Sequence, residues 1–234
     1  MTISYRNFST EIEYPESDGL PMAESDPTRD YLTYAVEALN IYFQNHPEVY
    51  ISGNLFIYYE EGNPKAVVAP DVFVVFGVIK KKRRTYKVWQ EDNKIPDFML
   101  EITSKTTVSE DQGTKKGLYA YLGVKEYFQY DPTADYLQLQ LQGFRLVDGN
   151  YFPLEKNYLD DNNYSIYSEI LGLELKLQDG EMRFYNPMTR QTLLSHQETE
   201  QARLAAEQAR LEEQRKVEKL AAKLRELGID PNNI

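Results

Sequence analysis

The sequence predicts an α/β fold: a mixed β-sheet flanked by helices, followed by a β-rich extension and a long C-terminal helix. Three observations predict it. Two runs rich in β-branched and aromatic residues, V-V-A-P-D-V-F-V-V-F-G-V over residues 67–78 and D-F-M-L-E-I-T over 97–103, are bounded by Pro and Gly, as strands buried on both faces are. A helix-patterned segment separates the second run from V-K-E-Y-F-Q-Y at 124–130. That order of strand, helix and strand implies a right-handed crossover to a parallel neighbour. From residue 189 the composition turns to Ala, Glu, Gln, Arg, Lys and Leu, which suits a long exposed helix.

Taken in order, residues 1–30 are crowded with turn formers and read as an extended arm. A helix follows, capped by Ser25 or Asp26, with Pro27 in its first turn. Leu32, Ala35, Val36, Leu39 and Phe43 recur at three- and four-residue spacing as far as Asn45. Residues 49–59 read as one strand with a bulge at Gly53; with the strands at 67–78 and 97–103 it makes an antiparallel meander. Ser109, Glu110 and Asp111 start the next helix, Lys115, Leu118, Tyr119 and Leu122 continue it, and Gly123 stops it.

In the extension, residues 136–185, the run Y-L-Q-L-Q-L-Q alternates with period two and predicts a strand with a solvated glutamine face. These elements make one domain over residues 1–185, followed by a helical tail over 189–228. In the tail Leu204, Leu211, Val217, Leu220, Leu224 and Leu227 form a stripe close to a heptad seam. The stripe favours a coiled coil with another copy, giving a homodimer or higher homo-oligomer, or a helix folded back on the domain.

Composition removes several classes of function. The 234 residues include no cysteine, which excludes disulfides, thiol catalysis and cysteine zinc sites. The two histidines, His46 and His196, lie in segments that read as exposed, which argues against a Ser-His-Asp triad or a His-rich metal site, and no Gly-rich phosphate loop is present. No apolar stretch approaches the roughly 18 residues a bilayer span needs, and no signal-peptide core opens the chain, so a soluble cytoplasmic protein without a membrane partner is expected. A net charge of −11 opposes nucleic-acid binding as a global field. Locally, Lys80-Lys81-Lys82-Arg83-Arg84 with Lys87 concentrates positive charge, as a solvated loop or as a phosphate-binding patch.

Two acids stand out against this background. Asp71 opens the first apolar run and Glu101 lies inside the second. An ionised carboxylate in such a place needs a cation, a hydrogen-bond network or a wet cleft. On neighbouring strands, side chains directly opposite one another sit about 5 Å apart, close enough for two carboxylates to share one divalent ion.

The ordered set A-P-D-V-F-V-V-F-G, P-D-F-M-L-E-I-T-S-K-T-T and D-Q-G-T-K-K-G-L-Y-A-Y-L-G-V-K-E-Y-F-Q-Y-D-P resembles the Uma-two family of endonucleases, in the PD-(D/E)XK superfamily, over roughly residues 10–185. The resemblance implies a restriction-endonuclease-like fold and hydrolysis of DNA phosphodiesters with Mg²⁺, for which Mn²⁺ can substitute. It places Asp71 and Glu101 as metal ligands together with the main-chain carbonyl of Ile102. The lysine of the superfamily pattern would stand at Thr103; the family's D-x-x-x-K-x-x-x-Y pattern assigns it instead to Lys115, with Asp111 and Tyr119 one helical turn to either side. Lys105 and Lys116 are lesser substitutes. A further family acid near the N-terminus falls on Glu16 or Glu24. The altered lysine position and the net acidity leave an alternative of another class, an inactive nuclease-fold protein that binds nucleic acid or assembles through its coiled coil.

Overall fold

The computed structural model describes residues 12–17, 19, 25–104, 107 and 109–227; Glu24, Lys105 and most of the expected N-terminal arm lie outside the described residues. Two compact units divide the chain, Met1–Leu193 and Leu194–Ile234.

The first unit opens with helix α1 (Asp26–Tyr42), whose N-cap Ser25 accepts a hydrogen bond from the Thr28 amide. Among the described residues fourteen strands follow: β1 (Val49–Ser52), β2 (Ile57–Tyr58), β3 (Val67–Val68), β4 (Val72–Phe76), β5 (Tyr86–Lys87), β6 (Phe98–Ile102), β7 (Glu126–Tyr130), β8 (Leu141–Val147), β9 (Asn150–Pro153), β10 (Lys156–Tyr158), β11 (Tyr164–Ser168), β12 (Leu173–Gln178), β13 (Glu181–Asn186) and β14 (Gln191–Thr192). Helix α2 (Lys115–Leu122) separates β6 from β7 and is entered through a π-helical turn, Glu110–Thr114.

Six strands form the main sheet, in the order β1-β4-β6-β7-β8-β9. β6 and β7 run parallel and every other neighbouring pair is antiparallel. The parallel pair follows from the α2 crossover, since a helix between two strands returns the chain in the same direction. Alternation along each strand sends Val72, Val74, Phe98, Leu100 and Phe128 to the α1 face. Phe73, Val75, Met99 and Tyr127 go to the other face, where Tyr119 of α2 packs on them. Helices therefore flank a mixed sheet, the restriction-endonuclease-like arrangement.

Five strands in the order β10 to β14 form a second sheet, and its Ile166, Leu175, Met182 and Phe184 join the core on the α1 side. Tyr34 ties α1 to this sheet: its hydroxyl accepts from the Phe184 amide and donates to the Leu193 carbonyl. The small third sheet, β3-β2-β5, receives residues 12–17, with Tyr14 edge-on to Tyr58 and its hydroxyl accepting from the Gly62 amide.

Several expected elements differ. The run 49–59 is two strands in different sheets, because Gly53 and Asn54 turn the chain: the Asn54 amide bonds Pro70 O and its φ is 47°. The run 67–78 divides likewise at Ala69-Pro70-Asp71, where proline supplies no ladder donor. The alternating segment 136–140 is not a strand. Buried Asp131 takes its amides instead, accepting from Thr133, Tyr136 and Leu137, and only from Leu141 does a ladder form. The part of the extension that follows also divides between sheets, β8 and β9 completing the main one.

In the second unit, helix α3 (His196–Glu226) begins later than residue 189, because residues 191–192 pair with β13 as β14 in the first unit. Ser195 and Glu198 form a capping box at its start. None of its residues is buried, and Leu204, Leu211, Val217, Leu220 and Leu227 are all exposed. Among the described residues no helix is long and apolar enough to cross a membrane.

Candidate active site

The β4–β6 register pairs Val72 with Leu100, which sets Asp71, one residue before β4, across from Glu101. On the other side Glu101 pairs with Gln129 of β7, and Gln129 with Gln142 of β8. Paired residues share a face, so one polar row crosses the sheet. Within it Asp71 Oδ2 accepts from the Ile102 amide at 2.7 Å, which fixes the carboxylate at the lip of β6.

Glu101 is fully buried, and both its oxygens are engaged by α2: Lys115 Nζ donates to Oε2 at 2.9 Å and the Tyr119 hydroxyl to Oε1 at 2.5 Å. Lys115 also stands 3.0 Å from Asp111 Oδ1, an ion pair that lacks the alignment of a hydrogen bond. Residues 111, 115 and 119 recur one turn apart, so all three meet the sheet together. Asp111 is itself wholly buried and, among the described residues, neither of its side-chain oxygens has a hydrogen-bond partner; nor has the buried Thr103 hydroxyl. The Tyr127 hydroxyl donates to the Asp111 carbonyl and receives the Gln129 amide, which anchors the π-helical turn to β7.

The electrostatics follow from this crowding. Burial, then the Glu101 charge, raise the Asp71 pKa well above the usual carboxylate range, against the opposing pull of Lys115 and the Ile102 amide. Burial likewise raises Glu101, and here too the Lys115 charge offsets only part of the effect. Burial pulls the Lys115 pKa down, but Glu101 and Asp111 outweigh it and hold the amine protonated. Burial and the Glu101 charge keep Tyr119 a neutral phenol and a donor.

Three carboxylates around one ammonium leave negative charge that nothing else in the cluster balances. A divalent cation with oxygen ligands fits that donor set, and the Asp111 oxygens, which accept no hydrogen bond among the described residues, mark the same deficit. Among the described residues no three Asp, Glu or His side chains are grouped closely enough to enclose an ion. One or two carboxylates with water and phosphate suit Mg²⁺, which keeps much of its hydration.

The structure thus brings together Asp71, Glu101, Asp111, Lys115 and Tyr119, with Ile102 lending its amide to Asp71. Thr103 is buried just beyond β6. Lys116 turns away over the Phe144 ring, and Glu16 is paired with Arg84. The basic run is partly engaged within the fold. Arg83 and Lys81 bind Glu91, the Arg83 guanidinium covers the Tyr50 ring at 4.1 Å, and Lys80 reaches the Asn40 carbonyl.

Sequence reasoning misses two contributors. Gln129 hides within an apolar strand run, and Gly53 reads as a bulge. A Cβ on Gly53 would lie 2.2 Å from the Asp71 carbonyl oxygen, so only glycine lets the two segments close. Gly53→Ala is therefore expected to displace Asp71 and lower stability by about 1–3 kcal/mol. Urea denaturation checks the second effect, and Mn²⁺ titration the first.

The sequence model of the Uma2 family, described as "Putative restriction endonuclease", matches residues 8–178. No curated protein matches the chain. With β1 to β12, α1, α2 and every residue of the cluster inside the matched span, the chain belongs to the Uma2 family of restriction-endonuclease-type nucleases.

Proposed function

We propose that the chain is a Mg²⁺-dependent endonuclease that hydrolyses DNA phosphodiester bonds at the cluster of Asp71, Glu101 and Lys115. The observation that supports this reading is that Asp71 stands across from Glu101 on neighbouring strands, held by the Ile102 amide, while Lys115 of α2 binds the buried Glu101. Asp71 and Glu101 would hold the ion, with the Ile102 carbonyl as the main-chain ligand the family pattern implies. When bound, a divalent ion lowers the pKa of its water and neutralises charge developing on phosphate. Lys115 keeps its proton and presents positive charge where a scissile phosphate approaches. Tyr119 and Asp111 position that ammonium and the Glu101 carboxylate, and Ile102 orients Asp71.

The test is nicking of supercoiled plasmid by purified protein with Mg²⁺ or Mn²⁺. Asp71→Ala and Glu101→Ala should each abolish it; nicking unchanged in both variants would overturn the assignment. A second reading, an inactive nuclease fold that binds or assembles, is favoured by the engagement of both Glu101 oxygens and by the exposed leucines of α3. Calorimetric Mn²⁺ titration separates the two: a catalytic site binds the ion and loses it in Asp71→Asn. Sedimentation with and without residues 194–234 reports whether α3 assembles copies.

A further inference from the structure

The face of the main sheet that carries Glu101 continues past α2. Met99, Tyr127 and Phe144 lie in register across β6, β7 and β8, and all three belong to the core that Tyr119 covers. Glu101 follows Met99 by two residues and shares that face. Beside Phe144, an open groove of about 700 Å³ runs between α2 and the β8–β9 hairpin. Its walls are Gln112, Lys116, Gly117 and Tyr121 on the helix side and Asn150 and Tyr151 on the hairpin side, with small residues between.

Three features of this groove point to one kind of ligand. The first is charge. In a chain of net charge −11, none of the residues lining the groove is acidic. Its one cation, Lys116, sits with Nζ 3.4 Å from the Phe144 ring centroid, and among the described residues no acid pairs with it. Burial alone lowers its pKa, and no neighbouring carboxylate offsets this. An ammonium held over a ring and left without a counter-ion is a place for an anion.

The second feature is an unstacked aromatic. Tyr121 is 83% exposed, one of the most exposed large side chains on this unit, at the groove's rim. A phenol ring in that position offers a platform to a planar base. The third is room for close approach: a Cβ on Gly113 or Gly117 would meet nothing within 4 Å, so the helix surface is recessed there.

The geometry points to this groove as the seat of a single nucleic-acid strand leading away from the catalytic cluster, with Lys116 on a phosphate, Tyr121 stacked on a base, and Gln112 and Asn150 on the sugar-phosphate edge. The inference rests on the nuclease reading for its choice of ligand. DNA and RNA share the chemistry invoked, and the experiment carries both.

Binding is followed by fluorescence anisotropy with labelled DNA and RNA strands of about 20 nucleotides, and the annealed duplex, in chelator so that cleavage plays no part. Wild-type protein should bind the single strand. Lys116→Gln should weaken binding and reduce the slope of log affinity against log salt by about 0.7, and Lys116→Arg should restore the slope. Tyr121→Ala should weaken single-strand binding by about five- to a hundredfold with the slope unchanged.

Gly117→Gln adds a helix-favouring residue into open space, so the fold is kept while the groove is filled, and it should weaken binding as well. Absence of wild-type binding to either strand, or binding left intact in Lys116→Gln, Tyr121→Ala and Gly117→Gln, overturns the inference. Loss of binding in these variants alongside a plasmid that is never nicked would retain the groove and remove the nuclease assignment. Nicking with intact binding in the variants would do the reverse.

Discussion

Lys115→Met is expected to lower the unfolding free energy by about 3–5 kcal/mol, the cost of stranding buried carboxylates by removing their one cation. Lys115 is the sole cation whose ion pairs to Glu101 and Asp111 are seen among the described residues, and both acids have no exposed surface. Methionine preserves the length and apolar stem of the side chain, so the loss reports charge rather than volume. The penalty should shrink in acid, where the stranded acids take up protons, and should shrink again in the double variant Lys115→Met with Asp111→Asn. A coupling energy above about 1 kcal/mol between these two positions is the expected signature of contact. Urea denaturation of the single and double variants measures both. A loss under about 1 kcal/mol would place Lys115 among ordinary solvent-screened pairs and dismantle the cluster as described. Under the proposed function the same variant should not nick plasmid with any divalent ion, because it lacks the amine proposed to face the phosphate.

Lys115 is named by the family pattern alone, whereas what else is legible in the sequence, and what is not, has a physical basis. Asp71 and Glu101 announce themselves because a charged group inside an apolar run violates burial rules locally. The resemblance names the α2 residues, and their four-residue spacing keeps them together even where the helix begins with a π-helical turn. Non-local competition is what the sequence hides. The 136–140 alternation is as regular as a strand can be, yet the Asp131 carboxylate captures its amides at the point where the ladder would have started. The run 49–59 looks continuous because its break depends on the Asp71 carbonyl pressing against Gly53, a contact between segments 18 residues apart. The lysine-arginine run carries no sign that Arg83 folds onto Tyr50 and binds Glu91. In each case local pattern correctly names the chemistry of the residue and misjudges its partner, since partners are set by tertiary contact.

The cluster also makes stability depend on pH, and under the proposed function on metal in a linked way. In chelated protein Asp71 and Glu101 have raised pKa values, so between the ordinary carboxylate range and the folded values the native state holds protons that the unfolded chain has released. The native state then binds more protons, and the unfolding free energy falls as pH rises through that window, by about 1.4 kcal/mol per pH unit for each proton so retained. Lys115 contributes the same sign, but only in alkali: its raised pKa gives stability that is complete below its unfolded value of about 10.5 and is lost above it. Carboxylates held low, such as Glu91 beside Arg83, stabilise at neutral pH and lose that contribution in acid, so the useful quantity is the difference between wild type and Asp71→Asn. That difference should become steadily less favourable to wild type as pH rises above the ordinary carboxylate range in chelator. A divalent ion held by the ionised carboxylates would reverse the trend, adding about 2.7 kcal/mol at a hundred times its Kd once the acids have lost their protons, and less in acid. Melting curves across that window, with EDTA and with Mn²⁺, read both slopes. A difference profile that stays flat in EDTA, or a Mn²⁺ increment that ignores pH, would mean that the acids facing Lys115 do not share one electrostatic site.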